Sequence, residues 1–127
     1  MDIVELREYC MLVDGATESF PFTQFRASNS VLVFKIMGKM FAMVDIEPKE
    51  GVYWVWMKCN PEHAESLREQ YRGIKPAWKS FGKTWNLVNI DSDVPDEVIR
   101  KLIDHSVAEV VKAMPKKLRE EYLTPKK

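Results

Sequence analysis

Several chemistries need residues that this chain hardly contains. Cys10 and Cys59 are its only cysteines among 127 residues. They stand far apart and fit no CxxC, CxxCH or zinc-ribbon spacing, so both are expected to be buried, idle thiols. Histidine is equally scarce. His63 and His105 lie on separate expected helices with no second histidine three or four residues away, which excludes an HExxH metal pair. With five glycines the chain offers no GxxxxGK[ST] loop, no GxGxxG turn and no GxSxG elbow. The longest unbroken apolar run, Val52 to Met57, is far short of a membrane span. No secretory leader is visible, because Asp2, Glu5, Arg7 and Glu8 precede any apolar stretch. These absences lead to the expectation of a reduced, cytoplasmic, non-enzymatic protein without cofactor or metal. An excess of charge is missing too. Nineteen Lys and Arg balance nineteen Asp and Glu, which excludes a generally polycationic nucleic-acid binder.

What is present reads as one α+β domain over residues 1–127. Its hydrophobic fraction of 46% and charged fraction of 30% are ordinary for a globular chain. Ile3, Leu6, Cys10 and Val13 recur at helical spacing over 2–13, with Asp2 and Glu5 as an N-cap and its reciprocal partner. Residues 14–30 read as a loop. Strand-like runs at 31–37 and 39–46 flank Gly38, and a turn at 47–51 leads into a third run at 52–59, an antiparallel meander. Asn60 and Pro61 open a helix over 61–71 that Gly73 ends. The segment 72–84 is mixed, 85–90 reads as a further strand, and Asp91-Ser92-Asp93 reads as a turn and cap cluster. A long amphipathic helix follows from Pro95 to about Pro115, with Val98, Ile99, Leu102, Ile103, Val107 and Val110 in its stripe. A basic helix or tail begins near 115. The order predicts an antiparallel sheet with helices packed on one face.

Strand side chains alternate between faces. One parity carries Leu32, Phe34, Ile36, Ala42, Val44, Val55 and Met57 and belongs to the core. The other carries Lys35, Lys39, Phe41, Met43, Trp54, Trp56 and Lys58. A large apolar set on a solvent face marks an interaction surface. A loop or the C-terminal segment folding over it, a homodimer, a protein partner and a base-stacking platform all fit the pattern.

Charge is unevenly distributed. The first 25 residues are acidic, residues 73–90 hold Lys75, Lys79 and Lys83 without a carboxylate, and 112–127 are basic. Phosphate contact requires only such a local field. Asp91, Asp93, Asp96 and Glu97 precede the long helix, where carboxylates complement the dipole and cap free N–H groups. They lack the glycine and terminal glutamate of an EF-hand.

Val33-Phe34-Lys35-Ile36, Gly38-Lys39-Met40-Phe41-Ala42, Met57-Lys58-Cys59-Asn60-Pro61-Glu62, Leu67-Arg68-Glu69-Gln70-Tyr71, Lys83-Thr84-Trp85-Asn86 and Val94-Pro95-Asp96-Glu97 occur in that order. Together they resemble the MmcQ/YjbR family from about residue 2 to 119. The resemblance implies a CyaY-like, frataxin-like α+β fold and DNA binding through a double wing of hairpins. The family's usual Pro-Gly-Tyr-His reads Pro76-Ala77-Trp78-Lys79 here. A glycine turn and a histidine are lost, Lys79 is gained, and no role of that histidine transfers. Trp54 and Trp56 stand where the family is more often polar.

Two expectations follow. In the first, Lys35, Lys39, Lys58, Lys75, Lys79 and Lys83 contact DNA phosphates while Trp78 or Trp85 packs on sugar or base. In the second, Phe41, Trp54 and Trp56 meet a protein partner or a second copy. A frataxin-like iron role for Asp2, Glu5 and Glu8 rests on fold analogy alone.

Overall fold

A six-stranded antiparallel sheet, ordered β1-β2-β3-β4-β6-β5, organises the structure, a computed structural model that describes residues 1–124. The strands are β1 (Thr17–Ser19), β2 (Val31–Ile36), β3 (Lys39–Asp45), β4 (Trp54–Lys58), β5 (Ile74–Pro76) and β6 (Trp85–Asn89). Helices α1 (Ile3–Met11), α2 (Pro61–Gln70) and α3 (Asp96–Ala113) contribute Leu6, Cys10, Ala64, Leu67, Ile99 and Ile103 to one core with the inward residues of the sheet. The α+β class, the meander and the helix layer are as the sequence predicts. The loop expected over 14–30 also contains β1 and a 3-10 turn at Arg26–Ser28.

Local chemistry explains the elements. Asp2 accepts from the Glu5 amide at 2.8 Å while Glu5 accepts from the Asp2 amide at 3.2 Å, the expected capping box. Asn60 caps α2 by accepting from the His63 amide, with Pro61 behind it. Met37 and Gly38, both at positive φ, make the two-residue turn between β2 and β3. At α3 the expected cap is replaced. The N-cap is Pro95 without a side-chain bond. Asp93 instead accepts from the Arg72 and Gly73 amides, both at 2.8 Å, and these bonds hold its carboxyl below the usual range. Asp96 pairs with the Met1 ammonium at 2.8 Å.

The strand parity breaks at one place. Val33, Phe34 and Lys35 face Met43, Ala42 and Met40, so β3 carries one extra residue, Phe41. The bulge turns Phe41 into the helix-side core, 0% exposed and 6.2 Å from the Phe34 ring. Its placement on the open face is therefore corrected, and so is that of Lys39, which the shifted register sets opposite buried Ile36. The bulge also interrupts pairing with β4. Ser106 on α3 repairs it by donating to the Phe41 carbonyl at 2.6 Å and accepting from the Lys58 amide at 2.8 Å.

The basic C-terminal segment forms α4 (Lys116–Leu123), and Tyr122 donates to the Asp14 carbonyl at 2.7 Å. Leu118 and Tyr122 pack against the main core, so α4 does not cover the tryptophan face. Lys126 and Lys127 lie outside the described residues. Among those described, no helix is long and apolar enough to cross a membrane.

Candidate functional site

The register sets Val33, Met43, Trp56, Leu87 and Lys75 in one row across β2, β3, β4, β6 and β5, on the face turned away from the helices. One step further along, Asn89 pairs with Trp54, and Asp45, just past the last β3–β4 pair, lines the same groove. Val33 is buried, so this face is partly covered. Its middle is a groove of about 720 Å³. Met43, Trp54, Trp56 and Leu87 line the apolar part. Asp45, Glu47, Lys49 and Glu50 belong to one rim, three carboxylates against one ammonium, Lys75 belongs to the opposite strand, and Ser28 brings the first 3-10 turn to the groove.

One wall comes from Lys75 of β5, and a second 3-10 turn, Lys79–Lys83, lies beside it. Phe81 meets Trp56 edge-on, with ring centroids 5.9 Å apart, and Trp85 lies 6.4 Å from Trp56 on the neighbouring strand. The wall is anchored from behind. Arg68 on α2 donates to Asn86 Oδ1 at 2.7 Å and to the Gly82 carbonyl, and buried Asn86 donates to the Ala64 carbonyl. Gly82 has no room for a side chain, since a Cβ would come within 2.8 Å of the Ala77 carbonyl. Arg68 and Asn86, both within the quoted family motifs, thus position the wall.

The turn that replaces Pro-Gly-Tyr-His is held without glycine. Lys79 takes a left-handed φ of 51°, a conformation that costs about 1–3 kcal/mol for a residue with a side chain. Its ammonium lies 4.2 Å from the centroid of Trp78, which is 66% exposed. Lys75 similarly covers the Trp54 ring at 4.0 Å. Each pair is a cation–π contact worth about 0.5–1 kcal/mol at an exposed site.

The expected phosphate-binding lysines fall into two groups. Lys75 lines the groove, and Lys79 and Lys83 belong to the adjoining 3-10 turn. Lys39 and Lys58 line a separate hollow of about 330 Å³ with Met40, Trp85 and the end of α3. Lys35 lies beside it, opposite Met40. Trp85 borders that hollow and packs on Trp56, so it joins the two groups. Trp54 and Trp56, assigned by sequence to a separate surface, belong to the same face as Trp85. Sequence reading misses Phe81, because 72–84 has no period to reveal it, and misses the rim at 45–50, where three carboxylates outnumber Lys49.

Other reactive groups are engaged in structure. Burial pushes the Cys10 thiol up to about 12 and the Cys59 thiol up to about 11, and neither is in a disulfide. Such thiols stay protonated and poorly nucleophilic at neutral pH. His63 and His105 meet edge-on at 5.3 Å, and His105 Nε2 accepts from the Asn60 amide at 3.4 Å. Burial lowers the His105 pKa, Glu109 opposes that shift and His63 adds to it. Among the described residues no three His, Cys, Asp or Glu side chains are grouped to hold a metal ion. Asp2 and Glu5, named for iron, are committed to the α1 cap.

The YjbR family model matches residues 12–107. The chain belongs to the YjbR family. The uncharacterized protein YjbR of Escherichia coli is 32% identical over 120 residues, which is 94% of this chain and 95% of that protein. A crystal structure of a Deinococcus radiodurans protein with the DUF419 domain has a TM-score of 0.81 at 30% identity, covering 97% of this chain and 88% of that one. A Pseudomonas syringae protein has the same fold, with a TM-score of 0.71 at 22% identity over 87% of this chain and 99% of that one. YjbR membership accounts for the ordered motifs along β2, β3, β4, α2 and β6.

Proposed function

We propose that this YjbR-family chain is a cytoplasmic, non-enzymatic DNA-binding module that uses the tryptophan face and the β5-turn wall. The observation that carries the reading is a run of exposed aromatics with lysines interleaved and no carboxylate. Trp78 and Phe81 are 66% and 53% exposed, and Lys75, Lys79 and Lys83 share their segment. Stacking of a base on an aromatic ring is worth about 1–3 kcal/mol. That exceeds the cation–π contact that Lys75 or Lys79 gives up, and the released ammonium is then available to a phosphate. Exposed aromatics alone fit a protein partner equally well. The lysines lying on exposed Trp78 and half-buried Trp54 favour nucleic acid. Two buried, unpaired thiols suit a reducing compartment.

Titration with single-stranded and duplex DNA at two salt concentrations tests the proposal. Three phosphate contacts predict an affinity loss of about twentyfold for a single strand and about fortyfold for a duplex between about 50 and 200 mM salt. Replacing Lys75, Lys79 and Lys83 together by Gln is expected to remove most of the affinity and most of that slope. Absence of binding at the lower salt, or a slope that survives the triple substitution, contradicts it.

A further inference from the structure

We infer that the groove receives one unpaired base of a single strand and selects bases that carry an exocyclic amine. The inference rests on the DNA-binding reading above and adds what the groove itself recognises. Its floor is apolar and aromatic, from Trp54, Trp56 and Leu87, and about 720 Å³ of space lies over it. A base stacked inside a duplex cannot enter such a space, whereas an unpaired base presents its face to the indoles and its edge to the rim.

The two sides of Trp54 differ in charge. Lys75 rests its ammonium on the ring at 4.0 Å, on the side of the basic wall. Asp45 stands on the other side, one register step beyond the Val44–Val55 pair. Asp45 Oδ1 is occupied by the Ser30 hydroxyl at 2.5 Å and the Glu47 amide at 2.9 Å. Among the described residues Oδ2 accepts no hydrogen bond. The Glu47 carboxylate is free in the same sense and lines the same rim. The 45–50 rim sets Asp45, Glu47 and Glu50 against the single ammonium of Lys49 and is net negative, so it repels a phosphate and the backbone of the strand belongs on the Lys75 side. The base edge then meets Asp45 and Glu47, which accept hydrogen bonds and donate none. An amine such as N4 of cytosine satisfies them, while a carbonyl oxygen at the same position, as in uracil, leaves two acceptors facing each other. A base entering the groove displaces the Lys75 ammonium from the Trp54 face and leaves it near the strand's phosphate.

Tryptophan fluorescence titrations with octamers of deoxycytidine and deoxyuridine test this, because the two bases differ at that edge and not in size. The expected result is that the cytosine octamer binds about tenfold tighter. Asp45→Asn keeps an oxygen for Ser30 and Glu47 yet turns an amine toward the base, so it is expected to abolish or reverse the preference. Glu47→Gln, on an exposed side chain, is expected to weaken it, and unchanged thermal melting confirms that both variants are folded. Equal affinity for the two octamers, a preference that survives Asp45→Asn, or displacement of the octamer by an equal concentration of duplex overturns the inference while DNA binding stands. Deoxycytidine monophosphate binding as tightly as the octamer overturns the strand and assigns the groove to a free nucleotide. Failure of both octamers to bind at low salt overturns this inference, and failure of duplex DNA to bind as well overturns the proposed function.

Discussion

Ser106 shows how one hydroxyl can make an irregular sheet affordable. The bulge at Phe41 leaves a carbonyl on β3 and an amide on β4 that cannot bond each other, and the 0% exposed Ser106 serves both. Removing it leaves two buried polar groups unmet, each at about 1–3 kcal/mol. Ser106→Ala is therefore expected to lower unfolding stability by about 2–4 kcal/mol in a urea titration. A loss below about 0.5 kcal/mol would mean that the bulge is satisfied in another way. The signal for this residue was present in the sequence. Position 106 falls on the α3 stripe with Ile99, Leu102, Ile103 and Val110, where a polar side chain requires a partner. The alternation puts Phe41 on the wrong face for the complementary reason. Alternation in strands assumes a constant period of two, and an inserted residue is invisible to it.

Among the elements, the junction of α2 with α3 is the pH-sensitive one. His105 on α3 accepts from the amide of Asn60, the residue that caps α2, and His63 of α2 sits against its ring. Burial, aided by His63 and opposed by Glu109, holds the folded-state pKa of His105 below its ordinary 6.5. The unfolded chain therefore takes up this proton more readily. The contribution is fully present above 6.5 and is lost as pH falls through the depressed value. Melting temperature is expected to be lower at about pH 5 than at about pH 7.5, and His105→Gln is expected to narrow the difference. A variant with an undiminished pH dependence would place the effect on other groups. The carboxylates of Asp2 and Asp93, held low by backbone N–H groups, act only in more acidic solution. The helices and long strands were legible from capping residues and periodicity. The short β1, β5 and both 3-10 turns were not, since three to five residues cannot display a period and their pairing is decided by neighbours distant in sequence.

At the scale of the whole molecule, the two faces of the sheet have separate tasks. The helix side holds nearly all of the hydrophobic core, including both cysteines. The other side carries Trp54, Trp56 and Trp85, and the adjoining turn carries Trp78, so that all four tryptophans serve one face and its edge. Sequence alone named each of these residues but divided them between two surfaces, because adjacency of β4 and β6 across α2 and β5 is a property of topology. The net charge of zero likewise concealed a basic wall and an acidic rim on the two sides of one groove. A two-dimensional proton–nitrogen spectrum with added single-stranded DNA tests this division most directly, since each of the four indole N–H groups reports from the proposed face. The account predicts that the indole signals of Trp54, Trp56 and Trp78 shift first, together with backbone amides of 74–85, while those of α1 and the exposed side of α3 stay in place. Shifts confined to the helices, with the four indoles unmoved by bound DNA, would contradict it.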